Sequence, residues 1–339
     1  MDARKLQKTG GSSLAIALPK KWAVASGLRA GDTVFLEPLA DGSLAVRPRE
    51  MPSGGGRRKT LAVGEEEPRT HLFRRLIGAY ISGFDVIELK FPPEIALAVR
   101  RVAREFTRAV IGPEVLEESR GALILKDLSD ASELSAEKCL RRMYLTAKAM
   151  HEDALAVLRT GDPQLAKDVE QRDQDVDRLF WVVSKQYNMA HLWKIIPGPD
   201  WVTTGIHNYW LVAKFLERIA DHAVRIALGA AELAGKVDPR LEKELQAASH
   251  GALAMLDGAF GAMISGDVDA ANRAVDLAEP FRKRVESLVH RLPVRRGPEL
   301  LTLGAIAESI GRTAGYAADI AELAINDATA RADTVRGSG

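Results

Sequence analysis

Four acids in this chain have the type and spacing to hold a cation. Glu217 and Asp221 lie within KFLERIADHAVR, Lys214 to Arg225, four residues apart. On a helix that spacing stacks two carboxylates on one face, one turn above the other. At about 100° per residue the face carrying them reads Trp210, Ala213, Glu217, Asp221, Val224, Leu228, so apolar residues flank the acids. A second face carries Val212, Phe215, Leu216, Ile219, Ala223 and Ile226, and Lys214, Arg218, His222 and Arg225 form a narrow polar stripe. Asp221 borders that stripe, within i+4 reach of Arg225, and Glu217 lies farther in. Two solvated acids are the plain alternative. An apolar seam weighs against it, because desolvating a carboxylate costs several kcal/mol unless it is paired or bound to metal.

Upstream, the seam Val169, Asp173, Val176, Asp177, Phe180, Tyr187 again sets two acids at i and i+4 between apolar positions. Two such helices side by side bring four carboxylates together, and these cannot all stay ionised in a closed site without a multivalent cation. Asp173, Asp177, Glu217 and Asp221 are therefore the candidate metal ligands. Oxygen ligands of this kind suit magnesium, manganese, calcium or iron, and carboxylate-bearing helical bundles hold paired metals. No histidine stands at Glu-x-x-His spacing beside these acids, which disfavours a ferritin-like di-iron enzyme site.

The elements that position these acids come from a chain of 339 residues with net charge +1, long enough for two or three domains. Its single cysteine, Cys139, excludes an intrachain disulfide and fits a reducing cytoplasm. No apolar run reaches the roughly 18 to 20 residues of a membrane span, and the first residues lack the apolar core of a signal peptide. The expectation is a cytoplasmic protein without membrane insertion.

Residues 1–50 read as short strands punctuated by turns: LAIAL, a short helix begun by Pro19 and ended near Gly27, a Gly31-Asp32 turn, TVFLEPL, an Asp41-Gly42 hairpin signal and SLAVRP. So small a unit buries little core alone, which points to a homodimer. Basic residues outnumber acids in it, as phosphate-backbone contact requires, although an ordinary solvated surface explains the charge equally well. Residues 51–59, MPSGGGRRK, read as a linker. Residues 60–130 mix helical and strand periods and suggest a small α+β module without chemistry of its own.

From Ser135 to Ala328 the pattern is helical and duplicated. Three helices span 135–233 and three more span 240–328, and Thr160-Gly161-Asp162 and Ser265-Gly266-Asp267 occupy the same turn in each half. ERIADHA at 217–223 corresponds to ESIGRTA at 308–314, so Asp221 is answered by Arg312. DQDVDRLF corresponds to FRKRVESLV, so Asp177 is answered by Glu286 and Asp173 by Arg282. Each acid pair becomes one acid and one arginine. The expectation is that Arg282 and Arg312 replace a metal as counter-charge to Glu286 and Glu308. His222 and His207 read as stripe or capping residues, His151-Glu152-Asp153 as surface, and Trp181, Trp193, Trp201 and Trp210 as packing around the second and third helices.

Two resemblances add to this reading. KLQKTGGSSLAIALPKKWAVASGLRAGDTVFLEP resembles the AbrB/SpoVT-type swapped-hairpin DNA-binding domain, with Gly27, Leu28, Gly31 and Asp32 in its Gly-Leu-x-x-Gly-Asp turn. In that family two chains interleave into one β-barrel. The resemblance implies DNA contact by Arg4, Lys5, Lys8, Lys20 and Lys21, although some members serve mainly to dimerise. ERIADHAVRIA resembles the signature of the PhoU phosphate-uptake regulators, duplicated three-helix bundles that bind metal clusters through acid-x-x-x-acid motifs. Asp173, Asp177, Glu217 and Asp221 fall on that family's metal positions, whereas the arginines of the second half depart from its pattern. The whole arrangement, with GFDVIELKF and RRMYLTAKAMHEDAL, resembles the archaeal PhoU-related regulators.

The fold expected is multidomain: an AbrB-like β-barrel, an α+β module and an all-α duplicated three-helix bundle. The function expected is a metal-binding transcriptional regulator of phosphate uptake. Two alternatives stand beside it: an adaptor that binds a phosphate transporter or a sensor kinase, its N-terminal domain only dimerising, and a carboxylate-metal enzyme. The enzyme needs a nucleophile or base that the sequence does not offer beyond the acids.

Overall fold

The structure is a computed structural model and describes residues 4–9, 13–38, 44–47, 57–129, 134–193, 200–233, 235–290 and 297–336. The chain divides into two compact units, Met1–Gly56 and Arg57–Gly339.

In the first unit β1 (Gln7–Thr9) pairs antiparallel with β2 (Ser13–Ala15), and β3 (Phe35–Pro38) with β4 (Leu44–Arg47). Helix α1 (Lys20–Ala25) lies between the hairpins in sequence. The turn after it closes because Gly27 takes a positive φ of 71°, which lets the Leu28 amide reach back to the Ala23 carbonyl at 2.9 Å. Asp32 closes the next turn by accepting from the Arg29 amide at 2.7 Å. Among the described residues of this unit none is buried, and Leu14 and Val24 are 67% and 69% exposed. Two two-stranded sheets leave the apolar side chains of one chain uncovered. The Asp41-Gly42 turn lies outside the described residues.

The second unit begins at Arg57, and β5 (Arg58–Ala62) follows at once, so residues 58 and 59 of the expected linker belong to a sheet. The run of basic side chains masked the strand, since alternation shows only from Thr60 onward. Helix α2 (Arg69–Ile81) carries the chain over to β6 (Val86–Lys90), which lies parallel to β5 as a strand–helix–strand crossover demands. Helix α3 (Ala96–Ala109), β7 (Pro113–Glu118) and β8 (Ala122–Asp127) complete a sheet of order β5-β6-β8-β7. Its inner face alternates Ile87 and Leu89 with Leu123 and Leu125, and these meet Leu72, Leu76 and Tyr80 of α2 and Val102 and Phe106 of α3. Each such side chain contributes about 1.5–3 kcal/mol on burial.

Six helices follow: α4 (Ala136–Thr160), α5 (Pro163–Trp193), α6 (Asp200–Leu233), α7 (Pro239–Ser265), α8 (Val268–His290) and α9 (Pro298–Arg336). Helix α6 packs on α4, α5 and α9, and α9 on α6, α7 and α8, so the two three-helix halves meet along α6 and α9. The duplicated turn is atomically alike in the two halves. Gly161 and Gly266 take φ of 65° and 72°, Thr160 and Ser265 donate to the carbonyls four residues back at 3.0 and 2.9 Å, and Asp162 and Asp267 accept the amides that open the next helix at 2.8 and 2.9 Å. The module and the bundle share Trp181, whose ring packs against both apolar cores.

Candidate metal centre

Helices α5 and α6 lie against each other and bring the four predicted acids to one seam. Val169, Val176 and Phe180 are buried beside Asp173 and Asp177, and Ala213, Leu216 and Ala220 are buried beside Glu217. Burial, with the charges of Asp177, Asp221 and Glu217, pushes the Asp173 carboxyl up to about 7. Burial, then Glu217 and Asp221, pushes Asp177 up to about 6 against the pull of Lys214. Oxygen Oδ1 of Asp173 is buried without a hydrogen-bond partner. Such an atom costs about 1–3 kcal/mol unless something fills the position.

The acids share the seam without converging on a point: among the described residues no three His, Cys, Asp or Glu side chains stand grouped to hold a metal. Glu217 is turned to Lys214, whose Nζ donates to both carboxylate oxygens at 2.9 Å. Arg218 donates to Asp221 at 3.3 Å and stands 3.6 Å from Glu217. Asp221 pairs with Arg218, three residues before it, and not with Arg225. Lys214 and Arg218 thus engage Glu217 and Asp221, and Asp173 Oδ1 has no hydrogen-bond partner. Four carboxylates, with Oδ1 of Asp173 buried and without a partner, are the donor chemistry a hard cation takes. Asp173, Asp177, Glu217 and Asp221 would hold it after Glu217 turns from Lys214.

In the second half Arg282 pairs with Glu286 and Glu279, and Arg312 stands 3.7 Å from Glu308. All five pairing side chains are more than half exposed, so these pairs lie at the surface and not in a seam. The second half therefore sets its arginine–glutamate pairs in solvent, where screening leaves little net attraction.

Two histidines stand where the sequence did not put them. His151 is fully buried, with Nδ1 3.0 Å from the Ser249 hydroxyl, and His222 is nearly buried, with Nδ1 3.1 Å from the Ser309 hydroxyl. The stripe and surface expectations fail because α9 covers His222 and α7 covers His151. A signal existed: Met143, Ala147, Met150 and Ala154 mark the buried face of α4 and His151 adjoins it. Burial, with His222 near, pushes His151 down to about 4; burial, with Arg225 beside it, lowers His222. His207 lies against the Tyr187 and Trp210 rings, and Trp210 stacks on Tyr187 at 4.9 Å and donates to Ser184 at 3.2 Å. The side chains of Trp193 and Trp201 lie outside the described residues.

Arg4, Lys5, Lys8, Lys20 and Lys21 are all exposed on the first unit. Among the described residues, no helix is long and apolar enough to cross a membrane.

Residues 140–229, which contain all four acids, match the PhoU domain family. The helical bundle carries a PhoU domain. A crystal structure of PhoU from Pseudomonas aeruginosa superposes with a TM-score of 0.53 at 20% identity, over 62% of this chain and all of that one. At that identity the likeness speaks for the fold. The match places the acid seam inside the PhoU part of the chain and leaves the α+β module outside it. Residues 7–53 match the family described as antidote-toxin recognition MazE, bacterial antitoxin, so the PhoU domain is joined to a MazE/AbrB-like N-terminal segment. No curated protein matches the chain.

Proposed function

We propose that this protein is a cytoplasmic, metal-binding transcription regulator of phosphate uptake. It contacts DNA through its N-terminal unit and senses or binds partners through its PhoU bundle. The observation that carries this reading is the union, in one chain, of a MazE/AbrB-like segment with exposed basic residues and a PhoU domain with four acids in one seam. The uncovered apolar side chains of the N-terminal unit call for a second copy, which makes the DNA-binding form a homodimer with two sets of Arg4, Lys5, Lys8, Lys20 and Lys21. A divalent or iron cation would supply positive charge between α5 and α6. Asp173 and Asp177 on one helix, with Glu217 and Asp221 on the other, would then be drawn together, and the helix pair would exchange its internal repulsion for a cross-link. That two-state seam is the element through which a bundle ligand would bias DNA affinity. The bundle is also the surface for a transporter or sensor-kinase partner.

Retention on duplex DNA at increasing salt tests the reading. Affinity falls steeply with salt, and Lys20→Ala/Lys21→Ala lowers the slope by about 1 for each phosphate no longer neutralised. Salt-independent retention, or none, leaves the N-terminal unit with dimerisation alone.

A further inference from the structure

Beside the acid seam, within the same compact unit, α2, α3 and α5 enclose an open cleft of about 710 Å³. That volume is the size of a small-molecule site and far larger than one phosphate ion. One wall belongs to α3. Arg101, Arg104 and Arg108 follow one another at i, i+3 and i+7, so the three guanidinium groups form a row on one helix face, about 10 Å long at 1.5 Å per residue. Among the described residues no hydrogen bond or ion pair engages these guanidiniums. Arg100, next to the row on the same helix, behaves as a structural arginine does: it pairs with Glu118 at 2.8 Å and donates to the Ser119 carbonyl at 3.1 Å. Three exposed, unengaged arginines in a row along one wall of the cleft suit an extended polyanion, since the guanidinium fork matches phosphate oxygens bidentately.

The remaining walls are unlike those of a simple anion site. Phe73 of α2 and Trp181 of α5, both half-buried, line the cleft and offer planar apolar surface. Glu105 and Asp177 line it as well. A bare anion is poorly served by two carboxylates and gains nothing from two aromatic rings. A nucleotide uses all of these groups: phosphates along the arginines, a base against the rings and the accompanying magnesium toward the acids. The row of arginines is longer than one phosphate needs and fits two or three.

We infer that the cleft between the α+β module and the PhoU bundle, lined by Arg101, Arg104, Arg108, Phe73 and Trp181, binds a nucleoside di- or triphosphate. The inference does not depend on a metal resident among the four acids or on DNA binding. It gives the α+β module a role, presenting the arginine row to a ligand that the bundle completes.

Calorimetric titration of the full chain with ADP and ATP in magnesium buffer, alongside pyrophosphate and adenosine, tests it. The expected result is saturable nucleotide binding, at least tenfold weaker pyrophosphate binding and no heat from adenosine. Arg104→Ala/Arg108→Ala lowers nucleotide affinity at least tenfold with an unchanged circular dichroism spectrum and melting temperature, and Arg100→Ala leaves affinity intact. Absence of nucleotide binding to the unaltered chain at millimolar concentration overturns the inference. So does affinity that survives the double substitution, and so does pyrophosphate binding as tight as ADP. If short duplex DNA displaces ADP, and loses affinity with the same arginines, the row belongs to nucleic acid and the inference fails.

Discussion

Asp127, the last residue of β8, and Lys185, in the last third of α5, form an ion pair that is nearly buried on both sides, their side chains 5% and 12% exposed. Asp127 also accepts from the Ser129 amide and hydroxyl at 2.8 and 2.6 Å. This pair, with the Asn188 side chain donating to the Ile81 carbonyl at 3.0 Å, ties the α+β module to the PhoU bundle. Removing one member of a buried pair strands the other, so Lys185→Met destabilises by about 3 kcal/mol in urea unfolding. Lys185→Met/Asp127→Leu recovers much of that loss. Equal loss in the single and double variants would show that the charges are not coupled.

Gly112 reaches the same cluster from the turn just before β7. Its φ is +107°, and an added Cβ would stand 2.2 Å from the Asp127 carboxylate. Gly112→Ala therefore combines backbone strain with displacement of that carboxylate, for a loss of about 2 kcal/mol or more. Denaturant unfolding measures it, and combination with Lys185→Met gives less than the sum because both act through Asp127.

The acid seam predicts a stability that depends on pH and cation together. Asp173 and Asp177 have folded values raised to about 7 and 6, above the ordinary carboxylate value near 3.8. The folded state binds more protons than the unfolded state over that interval, so metal-free stability falls as pH rises from about 4 to 7. Asp173→Asn/Asp177→Asn raises the metal-free melting temperature at pH 8 by an amount worth about 1 kcal/mol, solvent screening holding the gain down because both groups are only partly buried. Manganese or magnesium raises the melting temperature of the unaltered chain at pH 8 and not that of the double variant. A flat response to cations in the unaltered chain would remove the metal reading.

Elemental analysis of protein purified without chelator or metal-affinity resin separates the two halves. The expected outcome is bound metal that falls in Asp221→Asn, and absence of metal from the unaltered chain would overturn the metal reading. Glu308→Gln and Arg312→Ala leave it unchanged, because the pairs of the second half lie in solvent.

His151 predicts an acid limb of opposite sign. Its folded value is lowered to about 4 from the usual 6.5. The unfolded chain takes up the proton first, so stability present above pH 6.5 is lost as pH falls toward 4, by about 3 kcal/mol at the end of the interval. The carboxylates of the seam act in the reverse direction over an overlapping range. The difference between the unaltered chain and His151→Gln, which keeps a partner for Ser249, isolates the histidine. A pH-independent difference would show that His151 titrates as if exposed.

Spacing alone determined much of this protein. The i, i+4 acids of 173/177 and 217/221 declared themselves because a 3.6-residue period places them among apolar neighbours, and the twin Gly-Asp turns at 161 and 266 announced the duplication through local capping chemistry that needs no partner. Strand β5 was hidden, since Arg58 and Lys59 carry no alternation that would distinguish them from a basic linker. Tertiary structure decided the rest. Whether His151 and His222 face water depends on α7 and α9, about 90 to 100 residues away in sequence, and periodicity on one helix says nothing of what covers its flank. Whether Lys214 and Arg218 or a cation neutralise the four acids is a balance of distances between α5 and α6. Only the fold sets Trp181 and Phe73 beside the arginines of α3. Local periodicity is written in short windows of chain; burial and charge pairing are set by segments that meet only after folding.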